Sequence, residues 1–465
     1  MSTSQGADMP EEAIRPLPFH VEREIPHVVA VGRGSVIDLR IRLPERLKGS
    51  ASVSAGGKSI PLHRHRAPVP LTLAGEAARI HSGLVPLDEP LASTTVELHL
   101  SCSGETVRLG RSLLIPSAWP RFPNNNRHGT FHDDGLVVVC MTTYEPDEDR
   151  LARQIHSILD QSYPKIMLII CDDASTTDTV GFIKSRFENE TRITVFRNER
   201  NLGFYHNFER ALSLVPPEAS YVSLADQDDF WYPNKIADSI ARFGPETDLV
   251  FCDAAIKTHE GETLSKTYWT ARRPYFGPLD ALLTLNTVTG AGAIFRRTLL
   301  DQALPFPPNL GGAFHDHWLA CCALAKGGIE FLDQPLYDYI QHGHNVTGHI
   351  QSKHAGPLKG MLEDSSLALG GFLSKTAASK AYAKRENLSH VYWEWYRQLQ
   401  IYTKCLEVRF PDKSLFIENA RSMFLGKSPI QALKEAHRRY REAGLDTNNV
   451  EVLFARANSA AGFED

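Results

Sequence analysis

The sequence predicts an α/β protein: a mostly parallel central sheet, preceded by a small β-sandwich-like region and followed by a helical one. Three observations carry this. Apolar runs of buried-strand length, such as Leu136–Cys140 and Met167–Cys171, alternate with stretches of helical period. Before them, apolar residues alternate singly with polar ones. After them, the spacing changes to threes and fours. At about 150 residues per domain, a chain of 465 residues is expected to form about three regions.

Residues 1–20 are polar and Pro-containing and read as a loose, disordered arm. Over 21–118, Ile37, Leu39, Ile41 and Leu43 alternate with Asp38, Arg40 and Arg42, the period of a half-buried strand. Val96, Leu98 and Leu100 repeat it, and Ser103-Gly104 reads as a hairpin turn before Val107 and Leu109. The stretch 120–126, PRFPNNN, reads as a linker.

From 134 to 350 the texture is βα. The strand Leu136–Cys140 leads to a helix from near Asp149, then the strand Met167–Cys171 and a helix near Asp178–Glu188. A strand at Ile193–Phe196, a helix at Asn207–Leu214 and a strand at Tyr221–Ala225 follow. Such alternation implies right-handed crossovers, with a ligand crevice beyond the carboxyl ends of the strands. In the C-terminal region, 355–465, Tyr392, Trp395, Leu399, Tyr402 and Leu406 form one apolar helix stripe, read as core or subunit packing.

Composition narrows the function. Hydrophobic residues at 42% and charged residues at 23% are globular values, and a net charge of −5 lacks the basic excess of a nucleic-acid binder. No apolar run approaches the ~20 residues that span a bilayer, and the start shows no secretory signal. Seven scattered cysteines without a CxxC pair read as reduced thiols of a cytosolic protein.

The chemistry follows the strand ends. Met141-Thr142-Thr143-Tyr144-Glu145 offers hydroxyls and an aromatic to a ring ligand, with a structural loop as the blander reading. Asp172-Asp173-Ala174-Ser175 places two like charges side by side, for binding or for helix capping. Asp226-Gln227-Asp228-Asp229 puts three acids at the end of an apolar strand beside Phe230-Trp231-Tyr232-Pro233. A divalent cation with oxygen ligands neutralises such a cluster, and the aromatics argue against a merely solvated loop. Asp316 precedes the apolar run from Trp318 to Leu324, so it falls at a helix start, where the positive helix end favours its ionised form. That suits a general base, with an N-cap as the blander reading. Gly311-Gly312 upstream offers a flexible loop for a lid, and Gly290-Ala291-Gly292 would admit close backbone approach or tight strand packing.

Taken in order, these motifs, with Ser157–Pro164, Asn201-Leu202-Gly203, His315-Asp316-His317-Trp318 and Gln341–Val346, resemble the inverting GT-A glycosyltransferases of family two, rhamnosyltransferase-like branch. The resemblance covers about 134–348. It implies a GT-A fold and transfer of a hexose, with rhamnose suggested, from a nucleoside-diphosphate sugar to a glycan or glycolipid acceptor, in bacterial surface polysaccharide synthesis. It places Thr142, Tyr144, Glu145, Asp173, Asp226 and Gly290 around the nucleotide sugar, with Asp173 at the base. It implies Mg²⁺ or Mn²⁺ at Asp226 and Asp228, the DXD motif, with His342 able to add a contact. It makes Asp316 the catalytic base. Ala174 stands where the family commonly has Gly, which asks for a non-glycine backbone conformation. Peripheral association with the inner face of a membrane and homo-oligomerisation stay open. The rival readings are a sugar nucleotidyltransferase, which would want a Gly-rich phosphate loop after the first strand, and a carbohydrate-binding scaffold with an inactive transferase domain.

Overall fold

The computed structural model describes the strand-forming stretches of 22–116, residues 135–341 apart from 270–272, 285 and 310–312, and residues 398–399, 401–422, 434–435 and 438. The chain folds into two compact units, with the change-over at Pro116.

The first unit is all β. Its strands are β1 (Glu22–Glu24), β2 (Val28–Val31), β3 (Ser35–Pro44), β4 (Ala51–Ala55), β5 (Lys58–Pro61), β6 (His63–Arg64), β7 (Leu71–Leu73), β8 (Glu76–Leu87), β9 (Thr95–Cys102) and β10 (Glu105–Pro116). They form two five-stranded sheets, β1-β3-β8-β6 with β7 on β8, and β2-β10-β9-β4-β5. Leu39, Ile41 and Leu43 are all buried, the one-sided face that the alternation predicted. Cys102 lies opposite Glu105 in the antiparallel β9–β10 ladder, as the hairpin reading requires.

The second unit has an α/β fold. Strand β11 (Leu136–Thr143) is followed by α1 (Glu148–Leu159), β12 (Ile166–Asp172), α2 (Thr179–Arg186), β13 (Ile193–Arg197), α3 (Gly203–Ser213) and β14 (Ala219–Ala225). Then come β15 (Phe230–Trp231), α4 (Lys235–Ile240), β16 (Thr247–Thr258), β17 (Thr263–Ser265), α5 (Leu279–Thr284), β18 (Ala293–Arg296), α6 (Leu300–Ala303), α7 (His315–Lys326) and β19 (Gly328–Gln341). The strand order is β13-β12-β11-β14-β18-β16-β19-β15, with β17 beside β16. Strands β11 to β14 are parallel, but β18 enters antiparallel between β14 and β16. The sheet is therefore mixed rather than mostly parallel. The parallel half puts the carboxyl ends of β11, β12 and β14 on one edge, where the motif loops follow.

Local chemistry sets the helix starts. Asp147 caps α1 by accepting from the Arg150 amide, and Asp178 caps α2 by accepting from Gly181. Helix α3 starts at Gly203 rather than at Asn207, and its N-cap Leu202 has no side-chain bond. Asp173 caps it from a distance, accepting from the amides of Leu202 and Gly203 at 2.8 Å each.

Helix α8, spanning residues 401–409, and α9 (Ser414–Ser422) belong to the second unit rather than to a third. Leu399, Tyr402 and Leu406 of the predicted stripe are buried. Tyr392 and Trp395 lie outside the described residues, as do the 1–20 arm, the PRFPNNN linker, Gly311-Gly312, His342 and all of 355–397. Among the described residues no helix is long and apolar enough to cross a membrane.

Candidate active site

The loops after β11, β12 and β14 are tied together by side chains. Gln227 accepts from the Tyr144 amide at 2.8 Å and donates to the Tyr144 carbonyl at 3.2 Å, fixing the acid loop to the β11 loop. The Glu145 amide donates to Ser175 Oγ at 2.9 Å, and Glu145 Oε1 accepts from the Thr176 amide at 2.6 Å. That amide holds the Glu145 carboxyl below its ordinary range. Thr142 is half-buried near the end of β11, and Tyr144 just beyond it is 50% exposed. Gln227 was not marked by the sequence as a positioning residue, because an amide between two acids carries no signal of its own.

The adjacent carboxylates 172 and 173 are neutralised separately. Asp172 accepts from Thr143 Oγ1, from the Ser175 amide and from Ser175 Oγ. Asp173 is 2% exposed, and its oxygens accept from Asn198 Nδ2 at 2.7 Å and from the Leu202 and Gly203 amides. It therefore ties the 198–203 loop to the turn after β12. Between them and Ser175, Ala174 takes φ +61°, the left-handed conformation that favours glycine, so the expected departure from it does not occur. A Cβ there costs ~1–2 kcal/mol. Ala174→Gly is expected to stabilise the protein by about 1 kcal/mol, read as a higher denaturant midpoint at unchanged m.

Asp226 and Asp228 are half-buried and Asp229 is 1% exposed. Among the described residues no hydrogen-bond donor serves Asp226. Its carboxyl is pushed up to about 7, first by burial and then by Asp228 and Asp316. Asp229, whose Oδ2 is buried with no hydrogen-bond partner among the described residues, is pushed well above the carboxylate range by burial and by Asp226 and Asp228. These are carboxyls crowded together and partly withdrawn from water, and that chemistry fits a divalent cation. No group of three or more His, Cys, Asp or Glu among the described residues is arranged to hold a metal unaided. A cation at Asp226 and Asp228 would leave coordination positions for phosphate oxygens and water, and His342, which the resemblance adds to the set, lies outside the described residues.

Asp316 lies 90 residues further on, yet its charge is felt at Asp226. It sits in the first turn of α7, whose N-cap is Phe314, so it is not the cap itself. Three donors orient it. Asn286 Nδ2 and the His317 amide donate to Oδ1 at 2.9 and 2.7 Å, and the Gly290 amide donates to Oδ2 at 3.0 Å. Burial pushes its carboxyl up to about 6, and these donors limit the rise. The Gly290 amide thus serves the carboxylate read as the base. A methyl group at 290 would stand 2.8 Å from His315 Nε2 and 3.5 Å from Asp316 Oδ2. Gly290→Ala is expected to misplace Asp316 and to lower turnover by about 10²-fold, with far-UV circular dichroism unchanged.

The carboxyls of Asp226, Asp229 and Asp316, all raised in the native state, have a stability consequence. Between the ordinary carboxylate pKa and about 7, the native state binds protons that the unfolded chain has released, so stability falls as pH rises through this window. The metal-free protein should lose melting temperature between pH 5 and pH 8, and Asp226→Asn should flatten that slope in thermal scans.

Residues 138–304 match the family described as Glycosyl transferase family 2. The Escherichia coli protein named UDP-Glc:alpha-D-GlcNAc-diphosphoundecaprenol beta-1,3-glucosyltransferase WfaP is 32% identical over 116 residues, 25% of this chain and 43% of the relative. The Bacillus subtilis protein named putative teichuronic acid biosynthesis glycosyltransferase TuaG is 34% identical over 101 residues, 22% of this chain and 39% of its own. The chain thus spans about two fifths of the length of each. Among solved structures, Staphylococcus aureus TarS 1-349 in complex with UDP aligns with 70% of this chain and 89% of its own at 17% identity and a TM-score of 0.40.

Proposed function

We propose that this chain is an inverting glycosyltransferase that moves a hexose, with rhamnose among the candidates, from a nucleoside-diphosphate sugar to an acceptor hydroxyl on a glycan or glycolipid. The carrying observation is the meeting of distant acids. Asp316, held by three donors, shares its field with Asp226 beyond the carboxyl end of β14. The family 2 match over 138–304 supports the same reading, and the named activity of the Escherichia coli relative suggests a UDP-sugar among the donors to try and a polysaccharide setting.

In this reading Tyr144 and Thr142 seat the nucleotide, and Asp226 and Asp228 hold Mg²⁺ or Mn²⁺. When bound, that cation offsets charge developing on the diphosphate. Asp316 accepts the proton of the acceptor hydroxyl as its oxygen attacks the anomeric carbon from the side opposite the diphosphate, which inverts the centre. Asn286, His317 and Gly290 keep the carboxylate aimed during transfer.

The reading is tested by thermal shift over a panel of nucleoside-diphosphate sugars with and without Mn²⁺, followed by assay of diphosphate release. At least one donor is expected to raise the melting temperature with Mn²⁺ present. A panel that produces neither shift nor release would overturn it, and pyrophosphate release from a nucleoside triphosphate plus sugar phosphate would point instead to a nucleotidyltransferase.

A further inference from the structure

The family 2 match ends at residue 304, yet the base helix α7 begins at His315 and leans on a helix almost a further hundred residues along. Helix α8 and Gln398 just before it meet the segment leading to Asp316 at several points. Gln398 Nε2 donates to the Pro308 carbonyl at 3.0 Å, and Tyr402 Oη donates to the Phe314 carbonyl at 3.4 Å. The Tyr402 ring lies 5.4 Å from the His317 ring and 5.1 Å from the Trp318 ring, so it touches both residues after Asp316.

Arg409 completes the contact. It is 2% exposed and donates to the carbonyls of Gln302 and Ala303 through Nη1 at 2.8 Å, and to that of Pro305 through Nη2 at 2.7 Å. A cation there satisfies the carbonyls that end α6. Its guanidinium also lies 5.0 Å from the Trp318 ring centroid, and Trp318 Nε1 donates to the same Ala303 carbonyl at 2.8 Å. One carbonyl oxygen thus joins α6, α7 and α8. A structural reading accounts for packing alone. It does not account for why Tyr402 meets both the carbonyl just before α7 and the two rings that follow Asp316, while Arg409 ties the end of α6 to Trp318.

We propose that α8 belongs to the catalytic apparatus, with Tyr402 and Arg409 as positioning residues that hold the first turn of α7 so that Asp316 faces its substrate. This rests on the reading of Asp316 as the base. Neither residue touches substrate; both act through α7.

The test uses the full chain with UDP-glucose as donor probe, turnover read as UDP release, and hydrogen exchange as a readout independent of activity. Tyr402→Leu is expected to lower kcat about tenfold or more while donor KM stays within about threefold. Arg409→Met should do the same, and Arg409→Lys, which keeps a donor cation, should recover part of the loss. In an Asp316→Asn background, Tyr402→Leu should add nothing, because its effect passes through the missing carboxylate. Amides of 314–318 should exchange about tenfold faster in Tyr402→Leu while those of β11 and β12 do not change. Tyr402→Phe, which removes only the hydroxyl, gives a milder version should the larger changes fail to fold. Unchanged exchange at 314–318, or a kcat loss of full size in the Asp316→Asn background, would overturn the proposal. A wild-type chain inactive on every donor would count against the function, while the exchange result would still judge the brace.

Discussion

Asp316→Asn should leave a folded protein whose transfer rate is lower by about 10³-fold, equivalent to about 4 kcal/mol of transition-state stabilisation. The amide has nearly the same shape, so its oxygen can keep the Asn286 and His317 donors. Its NH₂ group then faces the Gly290 amide, and one bond is lost at a cost of ~1–3 kcal/mol. Loss of the charge that acts on Asp226 opposes that cost. The melting temperature should therefore move little while kcat collapses and donor affinity persists. Near-normal kcat in the folded variant would remove Asp316 from the mechanism. In the wild type, the carboxylate must be ionised to accept a proton, so kcat should fall as pH drops through about 6. The sign is fixed by the raised pKa: the inactive form is the protonated one.

Asp226→Asn and Asp228→Asn should each lose Mn²⁺-dependent donor binding and lower transfer by about 10³-fold or more. Asp226 has no hydrogen-bond donor among the described residues, and the proposed metal would balance its charge beside Asp228. Asp226→Asn has a second, opposite signature. At pH 8 the wild-type carboxylate is ionised against Asp228 and Asp316, so removing it should raise the melting temperature of the metal-free protein. A variant more stable and less active identifies a site where charge is held for a ligand. If Mn²⁺ still sharpens donor binding in Asp228→Asn, the seat of the cation lies elsewhere.

Much of this site was legible because its acids follow strands and open a helix. Asp226 and Asp228 could be read from a buried run that ends in charge, and Asp316 from a carboxylate before the Trp318–Leu324 run. The mixed sheet was not legible: β18 is only four residues long, and nothing in Ala-Ile-Phe-Arg says that it runs antiparallel between β14 and β16. The start of α3 was misplaced because its cap, Asp173, lies 30 residues before Gly203. The same holds for Gln227, Asn286 and Arg409, whose partners are backbone or side-chain groups far away in sequence. Hydrogen bonds of that kind leave no periodicity, only a polar residue that could equally face water. The left-handed Ala174 was hidden for a related reason, since a loop held by Asp172 and Ser175 can impose a backbone that the residue itself disfavours.

The two bonds between Gln227 and the main chain of Tyr144 make one mechanical part out of the loops after β11 and β14. Grafting the β11 loop of a relative onto this scaffold without its matching amide would disturb the neighbouring acids as well. Donor preference and cation dependence should accordingly change together in chimeras, and position 227 is the place to retune both at once.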